Sequence, residues 1–171
     1  KKTSMKRFLF ILLFIPLILS AQTKAQEYVD IGFAKQMEND YSGALAPLTK
    51  AIELNPSFVA YVYYLRGKSK SRLNDHSGAI ADFNKNLEGN PKNALAYAYR
   101  GLSKAHLNDS YSAIADLTKA IELNPNYIFA YFNRGAVKFY LGDLNGACAD
   151  FKESADRGDT NSAQRVKELC N

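Results

Sequence analysis

Two histidines and two cysteines are the side chains in this sequence whose types are most often used in catalysis or metal binding. His76 and His106 stand 30 residues apart, and His76 falls in a predicted turn between helices. Neither histidine belongs to a metal-ligand spacing, and the chain shows no phosphate-binding loop and no nucleophile motif. The sequence therefore predicts neither an enzyme nor a bound cofactor or metal ion.

Arginine and aspartate recur with a spacing that predicts ion pairs. Each of three arginines precedes an aspartate by 16 residues: Arg66 with Asp82, Arg100 with Asp116, and Arg134 with Asp150. The first part of the chain lacks both partners, since Ile31 and Pro47 occupy the corresponding positions. This joint presence and absence favours structural ion pairs, within one unit or between neighbouring units, that add specificity more than stability. The alternative is a charged row that binds a ligand.

The elements that would position these side chains repeat along the chain. Tyr63, Gly67 and Ala79 recur 34 residues later as Tyr97, Gly101 and Ala113, and again as Tyr131, Gly135 and Ala147. A fixed period of this size indicates a stacked array whose units cannot bury their apolar faces alone. The small Gly and Ala residues allow two helices to approach closely.

A row of lysines also recurs, at Lys35, Lys70, Lys104 and Lys138. We interpret this row as facing solvent, with the aliphatic parts of its side chains on apolar surface.

Turn residues divide each unit into two helices. Asn-Asp or Gly-Asp pairs are expected to close the first helix and cap the second, and Asn-Pro pairs are expected to end the second helix. We therefore expect an all-α fold of antiparallel helix pairs.

This pattern of columns resembles the tetratricopeptide repeat, in which aromatic, Gly, Ala and Pro positions recur about every 34 residues. The resemblance covers four copies, at about 26–59, 60–93, 94–127 and 128–161, followed by a predicted cap helix at 162–170. Arginine before the glycine and lysine after it depart from the usual Leu and Tyr, so we interpret the repeats as an Arg-Gly subtype. The resemblance implies an α-solenoid with a right-handed superhelix, whose first helices line a concave face that holds an extended peptide or a partner helix.

The resemblance also assigns a candidate groove, formed by a second stripe of side chains on the first helices. By position the groove residues are Tyr61, Tyr64, Lys68, Arg72, Leu95, Tyr99, Leu102, His106, Phe129, Phe132, Asn133, Phe139 and Tyr140. Aromatic side chains anchor many interfaces, so this lining favours binding of a peptide segment or partner protein. The alternative is that many of these rings fill interfaces between repeats. The family's carboxylate clamp is not reproduced, because its columns hold Val29, Phe33, Leu65, Leu95 and Tyr99.

Residues 1–25 are predicted to be a signal peptide that precedes the repeat domain at 26–171. Positive residues around Met5, the expected start, are followed by a 12-residue apolar run from Phe8 to Leu19 and by small residues. The run is shorter than the about 20 residues that span a bilayer. Cleavage is expected after Ala21 or Ala25. We therefore expect a periplasmic or secreted protein, with an uncleaved membrane anchor as the alternative.

The net positive charge of the chain comes from this leader. Residues 1–25 carry five of the 22 basic residues and none of the 17 acidic ones, which leaves 17 charges of each sign. A balanced repeat domain gives no support for nucleic-acid binding. We expect a protein or peptide partner, no nucleic acid and no small-molecule substrate, with membrane contact only through an uncleaved leader.

Export would place Cys148 and Cys170 in an oxidising compartment, which favours pairing. Counting by the repeat places Cys148 near the start of the last second helix and Cys170 midway along the helix that follows, at a similar height. A disulfide is one interpretation, and two buried free thiols are the other.

Two functions fit these observations. The first is an exported, non-catalytic protein–protein interaction module that binds a peptide segment or partner protein in a concave aromatic groove. The second is a structural subunit of a cell-envelope assembly that self-associates or is permanently covered by a partner.

Overall fold

The computed structural model describes residues 2–170, with side chains from residue 20 onward, and this part of the chain forms nine α-helices and no strand. The helices are α1 (Lys2–Met37), α2 (Tyr41–Glu53), α3 (Val59–Arg72), α4 (His76–Gly89), α5 (Ala94–His106), α6 (Ser110–Leu123), α7 (Ile128–Tyr140), α8 (Leu144–Asp156) and α9 (Thr160–Leu169). The all-α prediction is confirmed.

The helices pack as successive pairs, α1 with α2, α3 with α4, α5 with α6 and α7 with α8. Each second helix also contacts the first helix of the next pair, and neighbouring first helices contact each other. The four pairs therefore stack in chain order, with the first helices α1, α3, α5 and α7 side by side. The helix α9 packs against α8 at the end of the stack. This arrangement is the solenoid of helix pairs that the sequence predicts.

The turn inside each pair forms at an asparagine or glycine and the aspartate that follows it. Asn74 has a left-handed backbone with a φ of 63°, and the same position has φ values of 60° at Asn39, 63° at Asn108 and 82° at Gly142. The next residue then caps the second helix, as when Asp75 accepts a hydrogen bond from the backbone N–H of Gly78 at 2.9 Å. Asn and Gly tolerate the left-handed region and Asp satisfies a free N–H group, so local sequence is sufficient to specify these turns.

The glycine column sets the distance between the two helices of a pair. A Cβ atom added at Gly67 would lie 2.9 Å from the Phe83 ring, and one added at Gly101 would lie 2.9 Å from Leu117 Cγ. Because carbon atoms in contact are about 3.5–4.0 Å apart, a larger residue would push the helices apart. The glycine therefore packs against the large apolar side chain of the second helix, which lies four residues after the alanine of the sequence pattern.

The packed part of the domain begins before residue 26, the boundary expected from the sequence. Ala25 is fully buried, and the Gln22 side chain accepts a hydrogen bond from the backbone N–H of Ser57 at 3.2 Å. The physical reason is that α1 continues as one helix through this boundary and carries its packed face with it. The predicted start at Met5 and the apolar run at 8–19 lie outside the residues with described side chains. Within the described part of the chain, no helix is long and apolar enough to cross a membrane.

Candidate functional site

The buried charges of the second helix pair form one cluster. Asp82, whose side chain is 4% exposed, accepts hydrogen bonds from Arg66 Nε at 2.9 Å and from Arg66 Nη2 at 2.8 Å, and lies 2.9 Å from Lys70 Nζ. The guanidinium carbon of Arg66 lies 5.6 Å from the centre of the Tyr63 ring, within the range of a cation–π contact. One carboxylate is thus shared by two cations, and the cluster is closed to a ligand.

The same cluster recurs in the next two helix pairs. Its members are Tyr97, Arg100, Lys104 and Asp116 in the third pair and Tyr131, Arg134, Lys138 and Asp150 in the fourth. We call these three sets the ion-pair clusters. The burial of the three carboxylates favours a structural role over a charged binding row.

Each arginine also joins its helix pair to the preceding one. Its Nη1 donates to the second helix of that earlier pair: from Arg66 to Thr49 at 3.1 Å, from Arg100 to Asn84 at 2.7 Å, and from Arg134 to Thr118 at 3.0 Å. The aspartate contact lies within a helix pair and the Nη1 contact lies between pairs. One side chain therefore fixes both interfaces.

The expectation that the lysine row faces solvent is wrong for Lys70, Lys104 and Lys138, whose side chains are only 20–21% exposed and ion-pair with the buried aspartates. The reason is that a carboxylate has two oxygens and accepts from a lysine as well as from an arginine. Lys35 is half exposed and pairs with Asp40 at 3.2 Å, because Pro47 replaces the buried aspartate in the first pair. The sequence does contain a sign of this pairing, because each lysine lies one helical turn after an arginine and so on the same face of the helix.

The predicted groove residues lie on the first helices α3, α5 and α7 but differ in exposure. Those exposed to solvent are Tyr61, Arg72, Leu95, His106, Phe139 and Tyr140, those half-buried are Lys68, Tyr99, Leu102, Phe129 and Phe132, and those buried are Tyr64 and Asn133. Among the aromatic members of the set, Tyr61, Phe139 and Tyr140 are therefore the ones most exposed to solvent.

Tyr64 belongs to the core, which corrects its assignment to the groove. Its side chain is 9% exposed and its ring contacts those of Phe83 and Tyr99, with centroids 6.3 Å and 6.2 Å apart. Burial also raises the pKa of the Tyr64 hydroxyl well above its ordinary value. Asn133 is equally buried and donates from Nδ2 to the Phe129 carbonyl oxygen at 2.7 Å. The Tyr64 ring thus packs against α4 and α5, whereas the Asn133 amide is bonded to the backbone of its own helix.

Three adjoining clefts cross α3, α5 and α7. One of about 210 Å³ lies between the second and third helix pairs, and another of about 210 Å³ shares Leu102 and His106 with it. A larger cleft of about 570 Å³ shares Phe129 with the first and Asn133 with the second. We call the surface around these clefts the groove face, defined by Arg72, Tyr99, Leu102, His106, Phe129, Phe132, Asn133 and Tyr140. The other predicted groove residues, Tyr61, Tyr64, Lys68, Leu95 and Phe139, do not line these three clefts.

A row of aromatic rings supports the groove face. Tyr99 lies 5.1 Å from Phe129 between ring centroids, and Phe129 lies 5.7 Å from Tyr127. Together with Tyr64 these rings connect three successive first helices and the turn before α7. Interlocked rings have few alternative rotamers, so the surface is largely formed before any ligand arrives.

His76 is part of this surface although sequence reasoning set it aside as a turn residue. Its imidazole stacks on that of His106, with ring centroids 4.4 Å apart and planes inclined by 9°. Burial lowers the pKa of His76, electrostatic repulsion by the neighbouring His106 lowers it further, and Asp75 opposes both effects. The 30-residue separation gave no indication of this contact, which exists only because adjacent helix pairs stack.

The cap helix α9 also contributes to the clefts. Asp159 and Asn161 line the largest cleft, and Asn161 and Arg165 line a further cleft of about 240 Å³ beside Phe132. The sequence suggested only that this helix shields the last apolar face from water. In the structure α9 also forms the end wall of the groove face.

A disulfide connects α9 to α8. Cys148 and Cys170 are bonded, and their Cα atoms are 5.6 Å apart. Only Ser162 of α9 is fully buried. The bond therefore adds a covalent link to the packing of α9 on α8. Among the described residues, no group of three or more His, Cys, Asp or Glu side chains could hold a metal ion.

Comparison with protein families assigns one helix pair directly. The model of the tetratricopeptide repeat matches residues 93–127, which contain α5 and α6. No curated protein sequence matches the chain. The third helix pair is therefore similar in sequence to the tetratricopeptide repeat.

Solved structures share the fold over most of the chain. The crystal structure of MamA superposes with a TM-score of 0.70 at 25% identity and covers 78% of this chain and 73% of MamA. The first repeat domain of RPAP3, solved with an HSP90 peptide, gives 0.62 at 23% identity over 65% of this chain and 90% of that domain. YrrB, described as a tetratricopeptide-repeat protein with an unusual peptide-binding site, gives 0.74 at 20% identity over 85% of this chain and 75% of YrrB. The chain thus has the fold of tetratricopeptide-repeat proteins.

Proposed function

We propose that this protein is an exported, non-catalytic interaction module that binds a peptide segment or a partner protein on its groove face. The tetratricopeptide-repeat fold is generally a scaffold for protein–protein interaction. We also infer that all four helix pairs are repeats, because the helix turns are the same in all four, and that the last three show the Arg-Gly subtype, because they share the ion-pair cluster.

The observation that supports this function best is the continuity of the clefts along an aromatic surface. Phe129 lines two of them and stacks in the ring row that crosses the helix pairs. Tyr140 lines the third and is 74% exposed. Large exposed aromatic residues beside a cleft are typical of interface anchors. The solved relatives include a domain bound to a peptide and a protein with a peptide-binding site, which makes a peptide or protein ligand the natural expectation for this chain.

Site-specific crosslinking in the cell envelope tests this function. A photoreactive phenylalanine analogue is placed at Tyr140 and, as a matched control, at Tyr111. Tyr111 is similarly solvent-accessible at 80% exposure but belongs to the second helix α6 and lines none of the three clefts. A protein crosslinked from position 140 and absent from position 111 supports the groove face as the binding surface. Identical products from both positions would refute it.

The identified partner then permits a quantitative measurement. Replacing Tyr140 with Ala should weaken binding by about 2 kcal/mol, the usual size of an aromatic hot spot. The same change should leave thermal stability unaltered, because most of the ring is exposed. Tyr111→Ala is the matched control and should alter neither property.

Self-association is a second candidate, favoured by the turn edge of the stack. The C-cap residue that follows each of α3, α5 and α7 is a leucine exposed to solvent, at Leu73, Leu107 and Leu141. A row of exposed leucines is unusual for a surface that stays in water. If this edge joins copies of the chain, Leu107→Gln should remove a concentration-dependent increase in mass seen by sedimentation equilibrium. A wild-type protein that remains monomeric would exclude this candidate.

We further propose that export ends with cleavage after Ala21, and not after Ala25. Cleavage at the first site keeps the Gln22 side chain, which accepts a hydrogen bond from the Ser57 N–H, and keeps the fully buried Ala25. Cleavage at the second site would remove both contacts from the first helix pair. Intact-mass spectrometry of the protein recovered from the periplasm or medium distinguishes the two products. A mature chain that begins at Gln26 would contradict this choice.

A further inference from the structure

Two cations on the first helix of the second pair lack an acidic partner. Lys70 on the same helix is held by Asp82, whereas neither Lys68 nor Arg72 forms an ion pair with any described residue. Arg72 lies against the groove face, with its guanidinium carbon 5.9 Å from the centre of the Tyr41 ring. A flexible cation at a cleft, without a carboxylate of its own, is available to a charged group from outside.

The cleft beside Arg72 has the composition of an anion site. Arg72, His76 and His106 line it together with Ser71 and Asn74, and no Asp or Glu does. His76 Nδ1 is buried and has no hydrogen-bond partner among the described residues. Phe129 forms an apolar side of the same cleft.

We propose that this cleft receives the side-chain carboxylate of an acidic residue in the bound peptide, held by Arg72 and by the His76–His106 pair. The proposal rests on the groove face being the peptide-binding surface and adds the chemistry of one position in the ligand. An apolar residue of the same peptide packs against Phe129, since cation and ring lie in one cleft. The aliphatic and aromatic parts of the ligand thus supply most of the affinity, and the carboxylate determines where along the groove face the peptide binds.

Charge complementarity makes the carboxylate contact dependent on pH. The titratable groups facing His76 are Arg72 from α3, Asp75 at the start of α4, and His106 and Tyr99 from α5, while α7 contributes only the apolar Phe129. In the free protein, burial and the neighbouring imidazole favour neutral His76. A bound carboxylate adds an opposite charge and favours protonated imidazoles. Binding therefore takes up protons, and affinity rises as pH falls from about 8 to about 6, above the range in which the ligand carboxylate itself protonates.

A random dodecapeptide library displayed on phage is the probe, panned on the purified protein at about pH 6, where imidazoles begin to carry charge. The expected result is enrichment of peptides with an aromatic or aliphatic residue and an Asp or Glu at a fixed distance from it. Enriched peptides that carry the apolar residue without an acid would overturn the carboxylate site and leave the groove-face function standing. Recovery of no groove-binding peptide would overturn both.

The best selected peptide is then compared with its Glu→Gln or Asp→Asn version by fluorescence anisotropy. The acidic peptide should bind about tenfold more tightly at pH 6, and this preference should shrink at about pH 8, because a charge-assisted contact is lost as imidazoles deprotonate. Arg72→Gln and His106→Gln should each reduce the preference, measured in each variant as the ratio of its affinities for the acidic and the amide peptide. The matched control is Lys92→Gln, which removes an exposed cation from the connection between α4 and α5. A preference that survives in Arg72→Gln, or falls equally in Lys92→Gln, contradicts the proposal.

Discussion

Arg100 holds both oxygens of Asp116, from Nε at 2.8 Å and from Nη2 at 2.6 Å, and at the same time reaches Asn84 of the preceding helix pair with Nη1 at 2.7 Å. Bidentate contact with a buried carboxylate is the strongest form of arginine hydrogen bonding. Because this arrangement is repeated in three helix pairs, it sets both the internal packing of a pair and its stacking on the one before. The ion-pair clusters therefore specify the geometry on which the groove face depends.

Breaking one ion-pair cluster should be costly. Asp116→Ala leaves Arg100 and Lys104 without their shared partner, and removing one member of a buried pair costs about 3–5 kcal/mol. Urea unfolding followed by circular dichroism measures the change. Glu122→Ala on the same helix is the matched control, because it removes only the solvent-exposed ion pair with Lys119 and should not change stability measurably. Equal losses of unfolding free energy in the two variants would show that burial of the carboxylate does not determine the cost of its removal.

Alanine substitutions at two neighbouring tyrosines should differ in their effect on stability, because one ring lies in the core and the other at the surface. Tyr64→Ala empties a core position and should destabilise the protein by about 3 kcal/mol or more, as for other buried aromatic residues. Tyr61→Ala, three residues earlier on α3, removes a ring that is 47% exposed and should have a much smaller effect on unfolding in urea. If Tyr61→Ala is the more damaging change, the assignment of Tyr64 to the core is wrong.

The turns, the helix pairs and the close contacts at glycine could be predicted because they depend on residues near one another in the sequence. Asn74 and Asp75 specify a turn by themselves, and the column of Gly67 and its equivalents specifies close approach at each repeat. The arginine–aspartate pairs could also be predicted, because the four repeats of this chain can be compared with one another in place of related proteins. These features are local or periodic, and the fold follows from them.

The parts of the candidate site that could not be predicted depend on contacts between helix pairs. Tyr61 and Tyr64 lie on adjacent edges of one helix, and Tyr64 is the buried one because its ring packs against Phe83 and against Tyr99 of the next pair. His76 and His106 come together for the same reason. The role of α9 as an end wall depends on how far the chain turns back after Asp156. Neither composition nor periodicity contains this information.

Acidification should destabilise the free protein through His76. Its pKa is lowered in the folded state, first by burial, so the folded state binds fewer protons than the unfolded one. Stability from this source is present above the unfolded pKa of about 6.5 and is lost as pH falls through and below that value. Thermal melting at about pH 8 and about pH 5 should therefore show a smaller decrease for His76→Gln than for the wild type. A decrease of the same size in both would remove His76 as a source of the pH dependence.

Loss of the disulfide should loosen α9 before it affects the rest of the stack. The bond closes a loop with a sequence separation of 22 between Cys148 and Cys170, which is worth about 3 kcal/mol by the loop-entropy relation. In a Cys148→Ser, Cys170→Ser double variant, hydrogen exchange should rise in α9 while α3 to α6 keep their protection. Titration of thiols in unfolded, unreduced wild type should find none. Two titratable thiols would show that the bond does not form in the protein as produced.

Binding on the groove face should depend only weakly on salt. Beyond the leader the chain has 17 positive and 17 negative residues, so it presents no large field to steer a charged ligand. A single carboxylate at Arg72 and the histidine pair adds a modest screened contribution, and we expect affinity for a selected peptide to fall by less than about threefold between about 0.05 and 0.2 M salt. Arg72→Gln should flatten even this dependence. A steep loss of affinity that persists in Arg72→Gln would instead indicate a ligand held by many charges, and the aromatic surface around Phe129 and Tyr140 would then be the wrong site.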